Sequence, residues 1–218
     1  LRYVPLHGPL IVYTFTDSNF KRERESGSQT GSVTFIGTVI SETGYIHWNL
    51  LRYSSRRTRR VVHSTLAAET LAASFSLDSN EGTRGRLAEV NCDAEGVLIS
   101  DCKSLYDQLY SMTSHPDEML VPDFSQLRES CMPFRHALSL DFDGKAIELW
   151  WTPTELQLAD NLTKMRTPST DRFFISLRDN EFWLEEYKRP RKAHRTLHAL
   201  WAHMASFYVI ENVPGNEV

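Results

Sequence analysis

Two short apolar runs that each stop at an aspartate limit the possible folds of this chain more than any other feature. The first, Ile11-Val12-Tyr13-Thr14-Phe15-Thr16-Asp17, is rich in β-branched and aromatic residues and reads as a strand ending at an acid. The second, Val97-Leu98-Ile99-Ser100-Asp101, is almost wholly apolar, as expected of a strand covered on both faces in a parallel part of a sheet. An α/β sheet gathers reactive groups at strand ends, so neighbouring strands of this kind would bring Asp17 and Asp101 together.

The rest of the pattern supports an α/β fold. Residues 21–30 are polar and read as a loop, and 32–40 and 45–50 read as two more strands joined by a hairpin at Glu42-Thr43-Gly44. Ser64 is placed to cap an alanine-rich helix carrying Glu69, expected to fade near Asp78 ahead of Gly82 and Gly85. Residues 103–110 read as a helix, and a further helix is expected within 123–140, the pattern leaving open whether Pro133 breaks it. Residues 146–151 form the last expected strand, in which Trp150 and Trp151 read as core rather than as base-stacking platforms. Thr154-Glu155-Leu156-Gln157 matches a capping box, so a helix should begin there and carry Asp160 in its second turn. Helices are expected over 173–187 and 197–210.

Composition narrows the partners. The chain has 218 residues, enough for one good-sized domain with a core, and no stretch approaches the roughly 20 apolar residues of a membrane span. Cys92, Cys102 and Cys131 are an odd, widely spaced set, which suits reduced thiols in an intracellular setting. The net charge of −4 does not by itself advertise a nucleic-acid binder. The positive charge is uneven, however. Arg52, Arg56, Arg57, Arg59 and Arg60 form one cluster, and Lys188, Arg189, Arg191, Lys192 and Arg195 form another. His194, His198 and His203 lack a carboxylate or cysteine to complete a metal set, and a docking helix explains their spacing.

Asp17, Asp101, Glu69 and Asp160 are therefore candidates for one site. Four close carboxylates raise one another's pKa, and hard divalent cations with oxygen ligands would relieve that crowding.

Local sequence then narrows the reaction. Thr16-Asp17-Ser18-Asn19, the glycine-punctuated stretch 26–37, the segment from His47-Trp48 through Arg60 into Ser64-Thr65-Leu66-Ala67-Ala68-Glu69-Thr70, Ser100-Asp101-Cys102-Lys103-Ser104-Leu105-Tyr106, and Trp151-Thr152-Pro153-Thr154-Glu155-Leu156-Gln157-Leu158-Ala159-Asp160-Asn161-Leu162-Thr163-Lys164 occur in order. Together they resemble the ribonuclease H domain of copia-type LTR retrotransposon Pol polyproteins. The resemblance covers about residues 11–166. It implies a ribonuclease-H-like α/β fold with a five-stranded mixed sheet of order 3-2-1-4-5, flanked by helices. It also implies residues 1–10 as the end of a preceding connection and 167–218 as a helical C-terminal extension.

The implied activity is hydrolysis of the RNA strand of an RNA–DNA hybrid with two Mg²⁺ ions, for which Mn²⁺ can substitute. Asp17, Glu69, Asp101 and Asp160 would be the catalytic, metal-binding acids, with Asp17 bridging both ions and Glu69 near the ribose 2′-OH. Ser18, Asn19, Arg56, Arg57, Arg59, Arg60, Ser64 and Thr65 would bind nucleic acid, the arginines through backbone phosphates. The implied partners are the hybrid and the reverse transcriptase and integrase portions of the same polyprotein, with no membrane. The implied location is cytoplasmic, with virus-like particles as one setting. Arg128, Arg135 and His136 only loosely replace the family's basic, histidine-containing stretch, and residues 167–218 match nothing in it. Two alternatives remain at this level: a catalytically inactive ribonuclease-H-like module that binds nucleic acid or tethers neighbouring domains, and a transposase or integrase core of the same fold.

Overall fold

The computed structural model describes residues 3–20, 27–38, 45–111, 117–131, 147–164 and 170–183. Every described residue belongs to one unit, Leu1–Tyr187, which runs past residue 166. The hairpin at 42–44, Pro133, Arg135, His136, the second basic cluster, the helix expected over 197–210 and the three tail histidines lie outside the described residues.

Strands β1 (Leu10–Asn19), β2 (Gln29–Thr38) and β3 (Tyr45–Arg57) form an antiparallel meander. Strands β4 (Ala94–Ser100) and β5 (Ile147–Trp151) extend it in parallel from the other edge of β1. A short β6 (Glu181–Trp183) pairs antiparallel with β3. The order β5-β4-β1-β2-β3-β6 contains the expected five-strand arrangement and adds a sixth strand to it. The sheet is thus six-stranded, not five-stranded.

Helix α1 (Thr65–Glu89) crosses β1 and β4, packing closely through fully or nearly fully buried Ala67, Ala68, Ala72 and Ala73. Ser64 caps it as expected, its hydroxyl accepting from Ala67 N–H. The helix does not fade near Asp78 but continues through both glycines. Buried Asn80 donates to Val12 O, Thr14 Oγ1 and Val97 O, and Arg84 donates to Ala94 O. These tertiary bonds hold the helix where its glycines favour it weakly. It ends where Asn91 takes a left-handed conformation.

Helix α2 (Lys103–Tyr110) matches expectation, and α3 (Val121–Cys131) lies largely within the expected window. Both pack with α1 on one face of the sheet, around Leu77, Leu98, Leu109, Phe124, Leu127 and Leu149. The other face holds Tyr13, Phe15, Phe35, Trp48, Ile99, Trp150 and Leu158. There the Trp48 ring is stacked between Phe35 and Phe182, at centroid distances of 4.0 and 4.8 Å.

Three expectations fail near the C-terminal end of the domain. The capping-box segment forms only a 3₁₀ turn, Thr154–Leu156, because both side chains meant to cap it have tertiary partners. The Thr154 hydroxyl donates to Asp101 Oδ2, and the Gln157 amide donates to Thr16 O. Asp160 instead opens a separate one-turn helix, α4 (Asp160–Thr163). The helix expected over 173–187 is α5 (Thr170–Asp179), ended by Asn180 at φ 59°. Trp48 N–H donates to Asn180 O and Asn180 Nδ2 donates to Trp48 O, turning the chain into β6.

Candidate active site

Asp17 sits inside β1 rather than at its end, paired with Gly31 of β2, which in turn pairs with Ser55 of β3. Asp101 follows β4 directly, and Asp160 opens α4. The chain docks α4 onto the sheet where Gly31 leaves room: a Cβ there would lie 2.8 Å from Thr163 Cγ2 and 2.9 Å from Ala159 O. Side chains from three strands hold the carbonyls at the end of α4. Gln29 Nε2 and Ser55 Oγ both donate to Leu162 O, at 3.1 and 2.6 Å, and Asn19 Nδ2 donates to Thr163 O at 3.2 Å.

This docking brings carboxylate oxygens of Asp17, Asp101 and Asp160 within 4.8 Å of one another. Asp17 and Asp160 are each 1% exposed. The Thr163 hydroxyl donates to Asp17 Oδ2, and Lys164 Nζ approaches Asp160 Oδ1 at 2.6 Å and Asp17 Oδ1 at 3.4 Å. Glu69, in the second turn of α1, is buried alongside, and its Oε2 has no hydrogen-bond partner.

Burial pushes the Asp17 carboxyl up to about 7, against the opposing Thr163 hydroxyl and Lys164 ammonium. Burial likewise raises Asp101, opposed by Thr154, and lifts Glu69 well above the carboxylate range, with the Asp17 charge adding to it. Burial opposes the charge on Lys164, but the hydrogen bond it donates to Asp160 and the charges of the surrounding acids take it to about 12. Both partners of the Asp17–Lys164 contact thus move up, although an ammonium by itself would lower the acid. One ammonium at 3.4 Å does not offset the near-complete burial of Asp17, while the lysine side chain is 38% exposed.

The donor set fits a hard divalent cation. All four groups are carboxylates, one has an orphaned buried oxygen, and three are pushed toward protonation without further positive charge. An octahedral Mg²⁺ with bonds of about 2.1 Å spans roughly 4 Å between opposite ligands, so the oxygens of Asp17, Asp101 and Asp160, within 4.8 Å of one another, would need to draw in only slightly to hold one.

The arginine cluster lies in the adjoining rows of the sheet. Strand β3 is longer than expected and carries Arg52, Arg56 and Arg57; Leu51 is the extra residue at an irregularity opposite Thr34 and Phe35. Arg56, Arg57, Arg59 and Arg60 line a cleft of about 1190 Å³ beside α1, together with Thr30 and Phe75. The Arg56 guanidinium lies 3.0 Å over the Phe75 ring, and Arg60 pairs with Asp123 at 2.6 Å. Burial and the like charge of Arg52 pull Arg56 below the usual arginine range, partly countered by Asp78.

Ser18 pairs with Thr30, and Thr30 with Arg56. One strand spacing of about 4.8 Å therefore separates the residue after Asp17 from Thr30 at the cleft, and two separate it from Arg56. Ser18 is buried, Asn19 holds α4, Ser64 is engaged as the helix cap, and Thr65 is exposed at the start of α1. From the sequence, Thr154 has only a helix-capping role, and Thr163 and Lys164 have none. The acid-then-lysine spacing of Asp160 and Lys164, four residues apart, was the available signal for the last.

No protein-family model matches the sequence, and neither does any curated protein. Among solved structures, the chain is similar to LC11-RNase H1, isolated from compost by a metagenomic approach, in complex with RNA/DNA hybrid. That likeness has a TM-score of 0.44 at 18% identity and covers 70% of this chain and 92% of that one. RNase H1 from the halophilic archaeon Halobacterium salinarum NRC-1 gives 0.41 at 18% identity, covering 78% and 98%. The foamy viral protease-reverse transcriptase in complex with dsDNA gives 0.40 at 14% identity, covering 74% and 96%. Likenesses this weak transfer neither residue roles nor an activity to this chain, which stands on its own topology and acids.

Proposed function

We propose that this chain is a ribonuclease-H-like nuclease that hydrolyses the RNA strand of an RNA–DNA hybrid, from a copia-type retrotransposon Pol polyprotein. The observation that carries the reading is the convergence of Asp17, Asp101 and Asp160 within 4.8 Å, with Glu69 buried beside them and its Oε2 without a hydrogen-bond partner. The copia-type assignment rests on the five ordered sequence matches.

Asp17, Glu69, Asp101 and Asp160 would hold two divalent cations, Mg²⁺ with Mn²⁺ as a substitute. When bound, these supply the charge neutralisation and Lewis acidity of an in-line phosphoryl displacement. The protein contributes position. Thr163 fixes one oxygen of Asp17, Thr154 fixes one oxygen of Asp101, and the docking of α4 sets the height of Asp160. Glu69 is the acid assigned to the ribose 2′-OH, the group that separates RNA from DNA.

The cleft would grip backbone phosphates through Arg56, Arg57, Arg59 and Arg60. Phe75 holds the Arg56 plane, and guanidiniums crowded beside one another gain from an arriving anion. Ser18, Asn19, Ser64 and Thr65 complete the nucleic-acid contacts in this reading, with the start of α1 supplying a favourable dipole. Reverse transcriptase and integrase portions of the same polyprotein are the proposed partners, in the cytoplasm.

The test is cleavage of a labelled RNA–DNA hybrid in Mg²⁺. The wild-type chain should cut only the RNA strand, and Asp17→Asn should abolish cutting while retaining the fold by circular dichroism. Full activity in that variant contradicts the assignment. Hybrid binding without cutting by the wild type points to a silent module, and cutting of duplex DNA alone to a transposase- or integrase-like core.

A further inference from the structure

The acid cluster already contains a cation that belongs to the chain. Lys164 leaves α4 in an extended conformation and folds back, so that one ammonium touches Asp160 Oδ1 at 2.6 Å and Asp17 Oδ1 at 3.4 Å. Since Thr163 takes the other oxygen of Asp17, both oxygens of that buried carboxylate are occupied. The lysine side chain is 38% exposed, while the two carboxylates it contacts are buried.

We propose that Lys164 is a resident counter-ion of the metal-free site, which has to leave the oxygens of Asp17 and Asp160 when a divalent cation binds. The inference rests on reading these acids as cation ligands. An ammonium can reach an oxygen on each of two carboxylates, but it brings one positive charge to four acids. A divalent cation brings two charges and displaces it. Lysine suits the task because it is a compact point charge on a flexible stem, without the planar fork that would lock arginine in place. Its partial exposure lets the head swing into water without crossing a packed interior. Binding of the cation and release of the lysine are then one linked equilibrium, in which Lys164 lowers apparent metal affinity and holds the empty site together.

The measurement is a calorimetric titration of Mn²⁺ into the full chain stripped with EDTA, as wild type, Lys164→Met and Lys164→Arg. Lys164→Met should bind Mn²⁺ about tenfold more tightly than wild type, the scale of removing one nearby like charge at a partly exposed site. Its metal-free melting temperature should fall and recover on adding Mn²⁺, while Lys164→Arg stays close to wild type. Equal or weaker binding by Lys164→Met, with wild type binding normally, overturns this inference alone. Failure of the wild type to bind Mn²⁺ overturns the metal reading as well.

A second measurement needs no variant. Acylation of Lys164 in the wild-type chain by acetic anhydride, followed by mass spectrometry, should speed up several-fold when Mn²⁺ is added. Unchanged labelling at saturating Mn²⁺ contradicts the proposed release.

Discussion

The Thr154 hydroxyl donates to Asp101 Oδ2 at 2.9 Å, tying the acid after β4 to the turn after β5. This bond favours the ionised form of Asp101 against the burial that raises it. Thr154→Val should therefore weaken Mn²⁺ binding and lower kcat/KM on a hybrid by about tenfold, the scale of one hydrogen bond to a charged group. Thr154→Ser should restore most of both. Calorimetry beside steady-state kinetics checks this, and an unaltered metal affinity in Thr154→Val would show that the bond plays no part in the site.

The Arg56–Phe75 stack predicts a salt signature. Arg56→Ala should weaken hybrid binding and reduce the slope of log K against log salt by about 1, as expected for the loss of one phosphate contact. Phe75→Leu should weaken binding less and leave the slope nearly unchanged, because the charge stays and only its orientation is lost. Fluorescence anisotropy at several salt concentrations separates the two.

Gly31 lies directly under α4, where an added Cβ meets a backbone carbonyl at 2.9 Å. Gly31→Ala should destabilise the chain by about 1–3 kcal/mol, the usual range for overpacking. It should also lift Asp160 away from Asp17 and cut activity further than the stability loss explains. Chemical denaturation and the cleavage assay under strongly folding conditions measure the two effects.

The raised carboxyls predict how metal-free stability depends on pH. Asp17 moves from the ordinary aspartate value near 3.8 to about 7, so the folded chain binds this proton more tightly than the unfolded one. The resulting stabilisation is complete below about pH 4 and is lost as pH rises through about 7; Glu69 and Asp101 act in the same direction. The melting temperature in EDTA should therefore fall between about pH 5 and pH 8. Saturating Mg²⁺ should remove most of that fall, because it favours the ionised acids. A melting temperature that instead rises with pH in EDTA would contradict the crowding of these acids.

The five strands themselves follow from local patterning, since β-branched and aromatic content marks β1 and a continuous apolar run marks the doubly covered β4, whereas their order in the sheet follows only from the family resemblance. Ser64 and the alanines behind it identify α1 through capping and propensity, which are properties of the segment itself. The failures share a different cause. Thr154 and Gln157 form a good capping box on paper, but Asp101 and Thr16 O claim their side chains across the fold. Gly82 and Gly85 signal an end to α1 that Asn80 and Arg84 override through bonds to β1 and β4. Strand β6, only three residues long, is fixed by the backbone of Asn180 against Trp48, which no periodicity announces. At the candidate site, the acids were marked by strand ends and motif matches. The groups that orient or neutralise them were not, because their partners lie far away in sequence or across a helix end.

Two divalent cations are expected among these four acids. A crystal of the full chain soaked in Mn²⁺, with data collected at the manganese absorption edge, tests it most directly. The account predicts two anomalous peaks among the carboxylates of Asp17, Glu69, Asp101 and Asp160, with Asp17 touching both. Density that shows no bound ion at saturating Mn²⁺, or ions seated away from these four side chains, would contradict it.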